Sequence, residues 1–188
     1  ILMHFDSDVS NEGNGGDATA TGSVTFNDAG KHGNAAYFDN SAYNVNDSTI
    51  AAADTTYLSL SDHANLDMEE SWTIEFWAKS ASRNDWSSNV EIVSKTDTNT
   101  TDFWWNGGTL SNYAVGLNGS GADYRWRDKD VTLRRDASVG GVADADSATG
   151  EFPWIHVTYI HDYDSRFEGI FVHDVNGELL EHAFTRFH

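Results

Sequence analysis

Two segments of the chain show the two-residue period of a β-strand. In the first, one face carries Trp72, Ile74, Phe76 and Ala78, and the other carries Thr73, Glu75, Trp77 and Lys79. The second, Trp154–Ile160, is rich in the aromatic and β-branched residues that strands favour. The first face is wholly apolar, and the second carries a large aromatic ring beside a carboxylate. This arrangement is typical of a sheet that is packed on one side only. The pattern therefore predicts a β-sandwich whose second face lines a recognition groove.

Further strand-like runs, separated by turn residues, recur along the chain. They are Ile1–Phe5, Val24–Phe26, Ala35–Phe38, Tyr57–Leu60, Val90–Ser94, Asp102–Trp105, Tyr113–Leu117, Asp123–Arg127, Val131–Arg135, Ile170–Val175 and Leu179–Phe184. We expect loops at Asp6–Gly22 and Asn40–Thr56, a turn at 27–30, and a hairpin turn at Asn176-Gly177. Because no segment sustains a 3.6-residue period, about ten to thirteen strands should form an antiparallel sandwich or barrel.

Composition narrows the classes of partner. The 188 residues include 30 acidic and 11 basic ones, a net charge of −19, so a phosphate backbone is repelled and nucleic acid is not expected as a partner. The chain has no cysteine, which excludes disulfides and zinc–thiolate sites. No apolar run approaches the ~20 residues of a membrane span, so membrane insertion is not expected.

Several segments, taken in order, resemble one protein family. They are Ile1–Asp6, Gly30–Asp39, Tyr57–Leu60, Ser71–Lys79, Ile92–Lys95, Tyr113–Leu117 and Trp154–Tyr159. Together they resemble the laminin-G-like (LamG) and pentraxin-like branch of the concanavalin A-like lectin/glucanase superfamily. The resemblance implies one all-β domain over residues 1–188, an antiparallel β-sandwich of the jelly-roll type. The long loop 40–56 departs from the family pattern, and the family's last strands are either absent from this chain or supplied by a partner.

Candidate catalytic groups are sparse. A retaining glucanase of this superfamily would show a Glu-x-Asp-x-(x)-Glu strand that brings its carboxylates together, and the sequence has no such motif. His156 and His161 lie five apart, so on one strand they face opposite sides. With His4 and His173, His156 is expected to be a hydrogen-bonded core or rim residue. We therefore expect no enzymatic activity.

Calcium is the cofactor that the loops suit best, because hard cations bind several carboxylate and carbonyl oxygens. The resemblance implies a cation near the loops that follow the first strand and Phe38. That position nominates Asp6, Asp8, Asp39 and Asn40 as ligands. The same side chains suit Asx turns that cap the loops, and the sequence leaves both interpretations open.

Aromatic residues beside polar ones are candidates for ligand contacts, since sugars stack on flat rings and bond to amides and carboxylates. The candidates are Glu75, Trp77, Trp104, Trp105, Asn106, Tyr124 and Trp126. Trp77 beside Glu75 is the strongest of them for the concave face. Tyr124 and Trp126, two apart on a strand, should share a face. For most of these rings, packing within the sandwich or against a partner subunit is the stronger interpretation.

Two functions fit these features. The first is a non-catalytic structural or adhesion module at an extracellular or virion surface, such as a phage tail, fibre or capsid decoration, with other protein subunits as partners. The second is a soluble carbohydrate-binding (lectin-like) module of a secreted protein, with glycans as partners and calcium as a candidate cofactor. The family resemblance is common to both.

Overall fold

The computed structural model describes residues 3, 8–10, 16–39, 56–66, 70–79, 90–95, 113–118, 123–128 and 153–186. Its strands are β1 (Thr19–Thr21), β2 (Val24–Ala29), β3 (Asn34–Phe38), β4 (Tyr57–Ser59), β5 (Trp72–Ala78), β6 (Val90–Lys95), β7 (Tyr113–Asn118), β8 (Asp123–Asp128), β9 (Ile155–Asp162), β10 (Phe167–His173) and β11 (Leu179–Arg186). One 3-10 turn, Ala64–Leu66, is the remaining regular element of the described residues. All strand pairs among them are antiparallel. The all-β class predicted from the sequence is thus confirmed for this part of the chain.

The chain divides into two compact units, Ile1–Asp67 and Met68–His188. The first unit holds two strand pairs, β1 with β4 and β2 with β3. The second holds a four-stranded sheet in the order β11-β10-β9-β5 and a three-stranded sheet in the order β6-β7-β8. The single domain over 1–188 stays a prediction. The loop 40–56 and the expected strands Asp102–Trp105 and Val131–Arg135 lie outside the described residues, as does Ile1–Phe5 except for Met3.

Two predictions for the first unit are wrong. The expected loop Asp6–Gly22 contains β1, which pairs with β4 from Thr19↔Ser59 to Thr21↔Tyr57. The turn expected at 27–30 is instead the end of β2, and the chain reverses at Gly30–Gly33, where the Gly30 N–H donates to the Gly33 carbonyl at 2.9 Å. Gly33 has φ of 79°, a conformation that a residue without Cβ adopts at little cost.

The four-stranded sheet combines a local meander with one distant strand. Strands β9, β10 and β11 follow one another in sequence, and β5 lies on the other side of β9. The β5–β9 register runs from Trp72↔His161 to Ala78↔Ile155. In this register each β5 residue is directly opposite a β9 residue, and the two side chains of such a pair lie on the same face of the sheet.

One face of this sheet is packed and the other is more open. The sheet buries Ile155, Val157 and Tyr159 of β9 with Ile170 and Val172 of β10, and the last four are 0 % exposed. In β5 the exposures confirm the predicted faces from Trp72 to Phe76, because Trp72, Ile74 and Phe76 are half-buried while Thr73 and Glu75 are exposed. Trp77 is half-buried, and its pairing with His156 assigns it to the open face. Each fully buried aliphatic side chain contributes about 1.5–3 kcal/mol.

The packed face also encloses one polar pair. His161 Nδ1 lies 2.9 Å from Glu168 Oε1, and both side chains are largely buried, at 10 % and 5 % exposure. These two residues are directly opposite in the β9–β10 register. The His161 ring also stacks on Trp72, with centroids 5.6 Å apart and planes 10° from parallel. The hydrogen bond explains how two polar groups are tolerated in this position, since each would be costly to bury alone.

The two hairpin turns of the meander differ in how they reverse the chain. The predicted hairpin at Asn176-Gly177 is confirmed, although its first strand ends at His173, two residues earlier than expected. Gly177 has φ of 83°, and the Asp174 carboxylate accepts backbone N–H groups of Asn176 and Glu178 at 2.8 Å each. The turn between β9 and β10 instead places Arg166, at φ of 54°, in the left-handed region.

The Asp162 carboxylate organises the turn between β9 and β10. It accepts the backbone N–H groups of Asp164 and Ser165 at 3.1 and 3.2 Å and the Ser165 hydroxyl at 2.6 Å. The Ser71 hydroxyl donates to Asp162 at 3.3 Å and accepts the Tyr163 N–H at 3.0 Å. These bonds hold the pKa of Asp162 below its ordinary value, with the Ser165 side chain as the largest cause.

Candidate functional site

The open face of the four-stranded sheet brings Glu75, Trp77, His156 and His173 together. The backbone register explains the grouping, because Trp77 is opposite His156 on β9 and His156 is opposite His173 on β10. The rings of Trp77 and His156 lie 4.9 Å apart at 41°, and those of His156 and His173 lie 6.3 Å apart at 43°. We call these four residues the Trp77 group.

Charge in the Trp77 group is modest. His156 Nε2 lies 4.0 Å from Glu75 Oε2, and the Glu75 side chain is 67 % exposed. Burial lowers the pKa of His156, the Glu75 carboxylate opposes that shift, and His173 adds to it. The imidazole is therefore mostly neutral at neutral pH, and its contact with Glu75 is a weak polar one. His173 Nδ1 is buried without a hydrogen-bond partner among the described residues.

A second group of rings lies on the same face, on β10 and β11. Its members form a closed cycle of four, with centroids 6.3 Å (Phe171–His182), 5.8 Å (His182–Phe184), 6.1 Å (Phe184–Phe167) and 6.5 Å (Phe167–Phe171) apart. The planes on either side of His182 are within 8° of parallel. We call these four residues the aromatic cluster. Its Phe184 is 63 % exposed, so the cluster is open to solvent.

Gly169 makes the aromatic cluster possible. It lies between Phe167 and Phe171 on β10 and opposite Phe184 on β11. A Cβ at this position would lie 2.8 Å from Phe167 Cζ and 2.9 Å from Phe171 Cε2, distances shorter than side chains tolerate. The absence of a side chain therefore lets both rings lie close over the backbone.

The open face offers the groups that recognise uncharged or weakly charged partners. Trp77 and the aromatic cluster supply ring surface, which contributes through burial and through C–H and ring contacts. Glu75 supplies a solvent-exposed acceptor, and His156 supplies a ring nitrogen beside it. The face thus combines apolar rings with a few polar groups that can fix an orientation, as binding surfaces generally do.

The structure locates some of the predicted ligand-binding residues. Glu75 and Trp77 are neighbours on the open face, as the strand period predicted. Tyr124 and Trp126 lie on the described backbone of β8, two apart, and their side chains fall outside the described residues. Trp104, Trp105 and Asn106 also lie outside them.

The predicted cation site is described only in part. Asp6 and Asn40 lie outside the described residues. The Asp8 carboxylate accepts the Ser10 N–H at 2.9 Å, an Asx-type contact. Hydrogen bonds from the Ser10 side chain, the larger cause, and from its backbone lower the pKa of Asp8. The Asp39 backbone N–H donates to the Ser23 carbonyl. Among the residues that the structure describes, no group of three or more His, Asp or Glu side chains could hold a metal ion, and calcium binding stays a prediction.

Sequence reasoning missed most of the open face. It placed His156 and His173 in the core or at its rim and did not propose Phe167, Phe171, His182 or Phe184 as contact residues. A usable signal was present, because the Asn176-Gly177 turn aligns β10 with β11 and so brings Phe171 opposite His182. The contact between Glu75 and His156 had no comparable local signal, since it depends on pairing between distant strands.

The described residues contain no helix long and apolar enough to cross a membrane. Function is inferred from the geometry of the open face, because comparison with known proteins found no matching family model, curated protein or solved structure.

Proposed function

We propose that the chain is a non-catalytic structural or adhesion module that contacts its partners through the open face of the β11-β10-β9-β5 sheet. The observation that carries the proposal is the aromatic cluster, with Phe184 63 % exposed, on the face opposite the one that buries Val157, Tyr159, Ile170 and Val172. A group of rings left in solvent is costly unless a partner covers it, so such surfaces mark contact sites. The module acts at an extracellular or virion surface, in an assembly of the tail, fibre or capsid-decoration type.

The fold that we propose for the whole chain is the concanavalin A-like jelly roll of LamG-like domains. The antiparallel sheets, the packed face and the open face support it. The net charge of −19 directs the module away from nucleic acid and towards proteins and glycans. The aromatic cluster contains no acidic residue, since its members are three phenylalanines and one histidine, and it therefore offers a contact surface despite the negative charge of the chain.

Assembly of the purified full-length chain tests this proposal. Light scattering across a range of concentrations and negative-stain electron microscopy should show objects larger than a monomer. Phe184→Ser should reduce them, whereas Tyr163→Ser, which removes a ring of similar exposure from the β9–β10 turn, should not. Isolated monomers under all conditions, for the wild-type chain and both variants, would count against a structural role.

The Trp77 group favours a second candidate, a carbohydrate-binding module. A sugar ring stacks its C–H face on an indole, and a nearby carboxylate accepts its hydroxyl groups. Trp77 and Glu75 offer both on one open face, and His156 touches each of them. If binding requires calcium, the proposed ligands are Asp6, Asp8, Asp39 and Asn40.

A glycan array probed with and without a chelator tests the second candidate. Trp77→Ala should lower the signal for any bound glycan at least tenfold, and Tyr163→Ala should leave it unchanged. Because loss of an indole can disturb the sheet, Glu75→Gln gives an independent probe at an exposed side chain, with folding checked by circular dichroism. Absence of binding to every glycan in both conditions would remove this function, and loss of binding with chelator would establish the cation.

A further inference from the structure

The aromatic cluster lies beside an outer strand. Strand β11 is the last strand of the four-stranded sheet on its side, and no strand lies beyond it among the described residues. It runs for eight residues, Leu179–Arg186, without proline or glycine. Natural sheets usually protect such edges by shortening or interrupting them, because free backbone N–H and C=O groups pair readily with another chain. Leu179, Leu180 and Phe184 on this strand are 45 %, 39 % and 63 % exposed.

The charge of this surface differs from that of the chain. The positions of β10 and β11 that alternate onto the open face are Phe167, Gly169, Phe171, His173, His182, Phe184 and Arg186. None of these described positions carries a carboxylate, although the chain has 30 acidic residues and a net charge of −19. Glu181, the one acidic residue of β11, is opposite Val172 and so alternates onto the other face, and Asp162, which is opposite Phe167, belongs to β9, two strands away from the β11 edge. Two copies of so acidic a chain repel each other least where such carboxylate-free surfaces meet. The pattern favours a second copy of this chain as the occupant of the edge.

We propose that β11 pairs antiparallel with β11 of a second copy across a two-fold axis. The two four-stranded sheets then form one continuous sheet, and the two aromatic clusters adjoin on its open face. This inference rests on the proposed structural role and names the partner and the surface. The two-fold relation makes the contact self-complementary and closed, as in most homodimers.

The symmetry fixes which side chains meet. In an antiparallel pair, opposite residues share a face, so a two-fold axis at His182 sets Leu180 opposite Phe184 of the partner subunit. An axis at Ala183 instead sets His182 opposite Phe184 of the partner subunit. Neighbouring strands lie about 4.8 Å apart, so either register covers the exposed Phe184 ring. The residue on the axis faces its own copy at a Cα separation of about 4.5–5.5 Å, which a disulfide can bridge.

The absence of cysteine from the chain makes cross-linking a clean test, because each introduced thiol is the sole one. His182→Cys and Ala183→Cys are oxidised and examined for covalent dimers, with Tyr163→Cys and Thr73→Cys as exposed controls. Tyr163 lies in the β9–β10 turn, and Thr73 lies on β5 at the opposite side of the sheet. We expect at least one β11 variant to form dimers severalfold faster than both controls. Equal, slow cross-linking in all four would overturn the pairing.

A second measurement does not depend on introduced thiols. Phe184→Ser should raise the dimer dissociation constant at least tenfold in sedimentation or light scattering, as truncation of an interface ring commonly does. Tyr163→Ser should leave it unchanged. Larger assemblies without β11 cross-links would overturn the edge pairing while leaving the structural role intact. A chain that stays monomeric at every concentration would overturn both, and glycan binding by that monomer would support the carbohydrate-binding alternative.

Discussion

The buried pair of His161 and Glu168 allows a sharp test of the packed face. We expect Glu168→Leu to lower the free energy of unfolding by about 3 kcal/mol. The carboxylate and the imidazole lie 2.9 Å apart at 5 % and 10 % side-chain exposure, so neither group can turn to solvent when its partner is lost. Loss of one partner of a buried hydrogen bond costs about 1–3 kcal/mol, and the short contact and deep burial of this pair place the loss at the upper end of that range.

The double variant separates the loss of a partner from the loss of the pair. His161→Phe with Glu168→Leu removes both polar groups and keeps a flat ring against Trp72, on which His161 stacks at 5.6 Å. Replacing a buried pair with apolar groups of similar size is often neutral or stabilising. We therefore expect the double variant to lie within about 1 kcal/mol of the wild type and well above Glu168→Leu alone.

Urea unfolding of the full-length chain, followed by tryptophan fluorescence and circular dichroism, supplies the numbers. An unchanged slope with denaturant would show that the variants alter stability and not the extent of unfolding. The reasoning is refuted if Glu168→Leu costs less than about 1 kcal/mol, or if the double variant is no more stable than Glu168→Leu alone.

Four further predictions concern the open face and the turns. Glu75→Gln should lower the pKa of His156 further in NMR titration, because Glu75 opposes the shift caused by burial, and an unchanged value would contradict the assignment. Because the pKa of His156 is lowered on folding, the unfolded chain binds the proton first, so the stability that His156 contributes is lost as pH falls from about 6.5 towards the folded-state pKa. Gly169→Ala should destabilise the sheet by about 1–3 kcal/mol in urea unfolding, since its Cβ meets two phenylalanine rings, and a neutral result would show that those rings move freely. Arg166→Gly should stabilise the chain by up to about 1 kcal/mol, and Gly177→Ala should destabilise it by about as much, because both positions have φ above 50°. Thermal unfolding measures both effects, and a shift of the unfolding temperature in the same direction for both variants would argue against this explanation.

Local periodicity predicted the parts of the fold that depend on one strand at a time. The alternation of β5 separated Ile74 and Phe76 from Glu75, as the exposures confirm. The hairpin at Asn176-Gly177 was equally readable, because a left-handed glycine is a local requirement. In each case the information lies within a few residues of the sequence.

What the sequence did not predict depends on pairing. Strand β1 is a short Thr-Ala-Thr segment without a strong pattern, and its partner β4 defines it as a strand. The sequence analysis placed the chain reversal at 27–30, because the polar residues there are typical of a turn. In the structure those residues extend β2, and the chain reverses at Gly30–Gly33. The contact between Glu75 and His156 follows from the β5–β9 register, which no local pattern encodes.

The pairing of β5 with the distant strand β9 determines how inserted residues would affect folding and stability. The meander from β9 to β11 can form from neighbouring segments, whereas β5 must close a long connection before it pairs, as the bond between Ser71 and Asp162, 91 residues apart, illustrates. Loop-closure entropy grows only logarithmically, so doubling such a connection costs about 0.6 kcal/mol. Extra residues placed between Ala78 and Ile155 would therefore slow the docking of β5 more than they would weaken the finished sheet.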